Sequence, residues 1–120
     1  MALPEGLVTV GEDYGKPFIT ISDRLITFSK MAIEQLQYTP YVHMMINENT
    51  HVVVFQACEK DGSAIPFYKE PDKGKQLLVR ISSKKYASLI LNMTSSGLVG
   101  NTMRIYGDFL PEDKAIVFYL

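Results

Sequence analysis

One cysteine, no tryptophan and no surplus of either charge mark this chain of 120 residues. Cys58 has no second thiol to pair with, so an internal disulfide is excluded, and a lone thiol suits a reducing compartment. Twelve basic side chains against thirteen acidic ones leave a formal net charge of -1. No global field therefore draws the chain to nucleic acid or to an anionic membrane, and any basic surface must be local. No segment approaches the roughly eighteen apolar residues that a bilayer crossing needs. The opening MALPEGLVTV has no basic region followed by a long apolar run, so neither a secretory signal nor a transit peptide is expected. The expected location is the cytoplasm, and the sequon at residues 92–94 would then stay unglycosylated.

What is present fits one folded domain. A hydrophobic fraction of 47% with 21% charged residues is that of an ordinary globular protein, long enough to bury a core without metal or disulfide staples. Residues 1–17 are rich in glycine and proline and form a lead-in. From residue 18 the chain reads FITISDRLITFSKMAIEQL. Phe18, Thr20 and Ser22 alternate with Ile19 and Ile21, and after the polar break at residues 22–24 the extended pattern resumes over 25–28, which predicts a hairpin. Ser29 is a good N-cap, and Ala32, Ile33 and Leu36 share one face of a short helix over 30–37 that ends ahead of the pre-proline residue Thr39. Residues 41–46 and 51–57, joined by the turn formers at 47–50, predict a second hairpin.

Residues 58–75 carry two glycines, two prolines and charges of both signs, and read as a linker docked by Ile65, Phe67 and Tyr68. The order then repeats. A strand over 76–81 is followed by a cap at Ser82 or Ser83 and by Tyr86, Leu89, Ile90 and Met93 at helical spacing. Strands over 102–109 and 115–120 make a final hairpin. Residues 26–29 align with 79–82 and residues 51–55 with 115–119, so two βαββ units, 18–57 and 76–120, fill one domain.

The turn and strand Ser22–Phe28, the helix from Lys30 to Leu36 and the hairpin after it resemble the swapped-hairpin DNA-binding domains of the AbrB, MazE and SpoVT group. Asp23 stands where that family usually has glycine, and Ser29 where it has proline. The resemblance implies an α+β fold in which the two units interleave as a small swapped-hairpin barrel with two short helices. The chain would then be a pseudo-dimer in one monomer, or a homodimer. It further implies a small non-enzymatic regulator that binds double-stranded DNA, with an origin in a plasmid, phage or conjugative element. The phosphate contacts would come from Arg24 at the turn, Lys30 at the first helix, and Arg80, Lys84 and Lys85 at their counterparts. Arg104 can join either surface. The alternative is a protein-binding module, antitoxin-like or an inhibitor of a host protein, that uses the loop patch Ile65, Phe67 and Tyr68.

Other residues point to no chemistry. His43 and His51 fall at separate places along their hairpin and find no ligand set, so no metal and no cofactor are expected. Gly97 and Gly100 enclose apolar residues, unlike a phosphate-binding GxxG loop. Asp108, Glu112 and Asp113 are turn acids with no matched base or nucleophile, so no enzymatic site is expected. Lys69, Lys73 and Lys75 alternate with acids in the manner of a solvated loop.

Overall fold

The computed structural model describes residues 15–69, 79–94 and 102–120. In chain order the elements are β1 (Phe18–Ile21), β2 (Leu25–Phe28), α1 (Lys30–Gln35), β3 (Tyr41–Asn47), β4 (Val52–Cys58), β5 (Ile65–Pro66), β6 (Val79–Ser82), α2 (Lys84–Met93), β7 (Met103–Tyr106), β8 (Asp108–Leu110) and β9 (Ala115–Tyr119). The fold is α+β, with two antiparallel sheets: β6-β2-β1-β7 and β5-β3-β4-β9-β8. None of the helices is long and apolar enough to cross a membrane, among the described residues.

The two sheets pack through their apolar faces. On the four-stranded sheet the buried positions are Ile19 and Ile21, Ile26 and Phe28, Val79 and Ile81, each pair two residues apart as the strand period requires. On the five-stranded sheet they are Val42, Val53, Phe55, Ile116 and Phe118. Phe28 joins the layers, edge-on to Phe55 at 4.9 Å and to Phe67 at 4.8 Å, and Phe55 continues to Phe118 at 6.1 Å. Burial of one such ring is worth about 1.5–3 kcal/mol, so this chain of aromatics is a main source of stability. The helices add Ala32, Ile33 and Leu36 from the α1 segment and Ala87, Ile90 and Met93 from α2 to the same core.

Sequence expectation and structure part at three places. The strands do not close into a barrel: among the described residues they form two open sheets. Closure needs a continuous ladder across every edge, and the margins of the larger sheet are β5, two residues long with a proline, and β8, three residues long. The single strand expected over 102–109 is two strands in different sheets, β7 beside β1 and β8 beside β9. Gly107 makes the crossing. A Cβ there would stand 2.7 Å from the Phe118 ring and 2.8 Å from the Val117 carbonyl oxygen, so only glycine lets the backbone pass. Helix α1 stops at Gln35 rather than 37, because Gln37 and Tyr38 turn left-handed at φ 54° and 55° and their N–H groups return to the carbonyls of Glu34 and Ile33.

Candidate nucleic-acid interface

The face of the four-stranded sheet that points away from the core carries a row of polar side chains. Cross-strand pairing places Arg80 opposite Thr27, Thr27 opposite Thr20 and Thr20 opposite Arg104, so one line across all four strands reads Arg, Thr, Thr, Arg. Three strand spacings of ~4.8 Å put the two arginine backbones about 14 Å apart. The neighbouring row holds Ser82 and Leu25, and the opposite end holds Phe18 beside Tyr106. The strand residues of this face include no aspartate or glutamate. Arg80 and Arg104 are exposed and have no carboxylate partner among the described residues. Thr20, Ser22, Leu25, Thr27, Arg80 and Thr102 surround a shallow hollow in this face.

Arg24 is presented by the turn between β1 and β2. The Ser22 hydroxyl accepts from the N–H groups of Arg24 at 3.4 Å and Leu25 at 3.1 Å, and the Ser22 N–H donates to the Leu25 carbonyl at 2.9 Å. That local network is the reason serine suits the position. The Arg24 carbonyl in turn accepts from the Ser83 N–H at 3.0 Å, which ties the turn to the start of α2. Ser83 caps α2 by accepting from the Tyr86 N–H at 3.2 Å, so Lys84 and Lys85 begin the helix beside Arg24. Asp23 lies 3.8 Å from Arg24, with both side chains about three-quarters exposed, and such a contact leaves the guanidinium free for other partners.

Four of the expected cations thus gather along the β2–β6 ladder: Arg24, Lys84 and Lys85 at one end, and Arg80 on the outer face. Lys30 stands apart. It begins α1 beyond the far end of β2, where the buried Ser29 hydroxyl accepts from the N–H groups of both Phe18 and Ala32. Because β2 and β6 run antiparallel, the helices that follow them start at opposite ends of the sheet. Arg104, which the sequence left between two surfaces, joins the outer face with its guanidinium carbon 4.3 Å from the centre of the Phe18 ring. The alternation of Arg104 and Tyr106 against Met103 and Ile105 was the available signal for this placement.

The apolar loop patch has a different setting. Phe67 is 7% exposed against Phe28, Tyr68 leans on Tyr38 with ring centres 5.2 Å apart, and Ile65 pairs with Val42 on the edge of β3. The N–H groups of Phe67 and Tyr68 donate to the carbonyls of Pro40 and Thr39. These residues fasten the segment to the body and present little apolar surface.

The remaining candidates are dispersed. No group of three potential metal ligands occurs among the described residues. His43 Nε2 lies 2.7 Å from Asp61 Oδ2, and His51 sits at the far turn with φ 56°. The Ser63 backbone N–H first, and His43 second, hold the Asp61 carboxyl below the usual carboxylate range. Burial, helped by the Asp61 charge, pushes the Cys58 thiol above its ordinary value, away from thiolate chemistry. Asp108 pairs with Lys16 at 3.8 Å, and Glu112 and Asp113 lie exposed in the last turn. Gly97, Gly100, Lys73 and Lys75 lie outside the described residues.

No protein-family model, curated protein or solved structure matches the chain. The functional reading therefore rests on the geometry above.

Proposed function

We propose that this chain is a small non-enzymatic DNA-binding regulator, built as a pseudo-dimer on the plan of the swapped-hairpin domains and using the outer face of the four-stranded sheet. The observation that carries the reading is the outer sheet face, whose described strand residues include no acid, with Arg80 and Arg104 at its margins and Arg24, Lys84 and Lys85 at one end. A chain of net charge -1 whose described strand residues on one sheet face include no acid has a local basic surface of the kind phosphate binding requires. The ~14 Å between the two arginine rows is close to the roughly 12 Å width of the DNA major groove, so the two margins can meet phosphates of both strands while the threonines face the groove. Lys84 and Lys85 support it further. They open α2 with no acid in its first turn, a placement that the helix dipole disfavours by about 0.3–1 kcal/mol, so helix stability is not their purpose.

Two ladders support the pseudo-dimer. β2 pairs antiparallel with β6 about Thr27 and Arg80, and β4 pairs antiparallel with β9 about Val54 and Val117, so the segments equated between the units are each other's partners. The N–H of Leu120 donates to the His51 carbonyl at 2.8 Å and the N–H of Ala57 to the Lys114 carbonyl at 2.9 Å, a reciprocal pair under the same exchange. His51 and Lys114, each just ahead of its strand, are both left-handed. The rival reading as a protein-binding module through Ile65, Phe67 and Tyr68 is weakened by the burial of Phe67. Fluorescence anisotropy with labelled duplex DNA at roughly 50 and 200 mM salt tests the proposal, since phosphate contacts weaken steeply over that range. Absence of binding at the lower salt overturns it.

A further inference from the structure

The same sheet face ends in three side chains whose geometry suits a nucleobase. Phe18 and Tyr106 are a cross-strand pair with ring centres 5.4 Å apart and planes tilted by 58°. Arg104, one residue before Ile105 on β7, places its guanidinium carbon over the Phe18 ring, 4.3 Å from the ring centre. Arg104 is exposed and has no carboxylate partner among the described residues. A planar cation over a ring can itself serve as a stacking surface, and Tyr106, the cross-strand neighbour of Phe18, is 36% exposed. None of this aromatic surface belongs to the core, which lies on the other face of the sheet.

The width of the sheet adds a second argument. The major groove, roughly 12 Å wide, admits a helix or a two-stranded ribbon. Here β2 and β1 are flanked by β6 and β7, so about 14 Å of backbone plus side chains cannot enter it. The face can touch a duplex through phosphates, but it reaches base faces only where bases are unpaired. Stacking platforms flanked by cations are the means by which proteins hold single strands.

We infer that the Phe18, Arg104 and Tyr106 corner stacks an unpaired base, and that the preferred ligand of the outer face is single-stranded nucleic acid. The inference rests on the proposal that this face takes nucleic acid. The step is non-covalent: Arg80 and Arg24 hold phosphates, and the corner takes a base.

The test is fluorescence anisotropy at low salt with three labelled probes of roughly 12 nucleotides, within the span that one small domain covers: oligothymidine, oligouridine and a duplex. Wild-type protein is expected to bind a single strand at least about tenfold more tightly than the duplex, and the tighter of the two single strands identifies DNA or RNA as the ligand. Tyr106→Ala and Phe18→Leu are each expected to weaken single-strand binding by about five- to 150-fold, the loss of one stacked base. Tyr106→Phe retains the ring and is expected to retain the affinity. Because Tyr106 is exposed, Tyr106→Ala decides the matter even where Phe18→Leu impairs folding. Duplex binding equal to or tighter than single-strand binding, or unchanged single-strand affinity in Tyr106→Ala, overturns the inference and leaves the DNA-binding proposal standing. Failure of all three probes to bind overturns both.

Discussion

Removal of two arginines offers the sharpest quantitative check on the interface. Arg24, Arg80, Arg104, Lys84 and Lys85 are the described cations on or beside the outer face. If each neutralises one duplex phosphate, the logarithm of affinity falls with the logarithm of salt at a slope of about -4.5, and raising salt fourfold weakens binding about 500-fold. The double variant Arg24→Ala/Arg80→Ala leaves three contacts, a slope of about -2.7 and a loss of about 40-fold over the same range. Neither side chain supports the fold. Arg24 is about three-quarters exposed and, among the described residues, its ion-pair partner is Asp23 at 3.8 Å, and Arg80 is exposed on the outer face. The variant should therefore unfold within about 0.5 kcal/mol of the parent, as surface substitutions do. Anisotropy titrations at several salt concentrations give the slopes, and thermal denaturation followed by circular dichroism gives the stability. A variant that keeps its fold and the parent slope would remove both arginines from the contact surface. A parent slope near zero would show that phosphates are not the ligand.

Other consequences concern the body of the protein. Phe67→Ala should destabilise by about 3–5 kcal/mol in urea denaturation, as a core phenylalanine does, whereas a surface patch would respond by a few tenths. Gly107→Ala should cost about 1–3 kcal/mol, because the new methyl group meets the Phe118 ring and the Val117 carbonyl. Asp61 adds a pH effect: its carboxyl is held below its ordinary value, so its share of stability is present above the unfolded-state value and is lost as pH falls through the folded-state value. Acid unfolding of Asp61→Asn should accordingly show a shallower decline below about pH 4 than the parent, and identical profiles would dismiss the His43–Asp61 contact as a source of stability.

Local patterns in the chain determined much of this architecture. The alternation in residues 18–28 specified β1 and β2 and their buried sides, since a side chain every second residue faces the core. Ser29 marked the first helix start and the pair Ser82 and Ser83 the second, where Ser83 is the cap, because a hydroxyl at that position satisfies an otherwise free N–H. Turn formers at 47–50 and 110–114 placed two hairpins. Each of these signals acts within a few residues, and each is legible without a partner.

Partners were a matter for the tertiary structure. A period of two says that one face is buried but not which strand lies alongside, so the residues around Gly107 read as one strand until the Phe118 ring required the chain to pass between sheets. Phe67 reads as loop in a segment of prolines and charges, and only its place against Phe28 makes it core. The candidate site is non-local in the same way. Arg80 and Arg104 lie on the two margins of one sheet, each joined to the row by a strand distant in sequence, and Phe18 comes under Arg104 through the pairing of β1 with β7. Pairing across such separations is chosen by the combined burial of both sheets, a quantity that no short window of sequence contains.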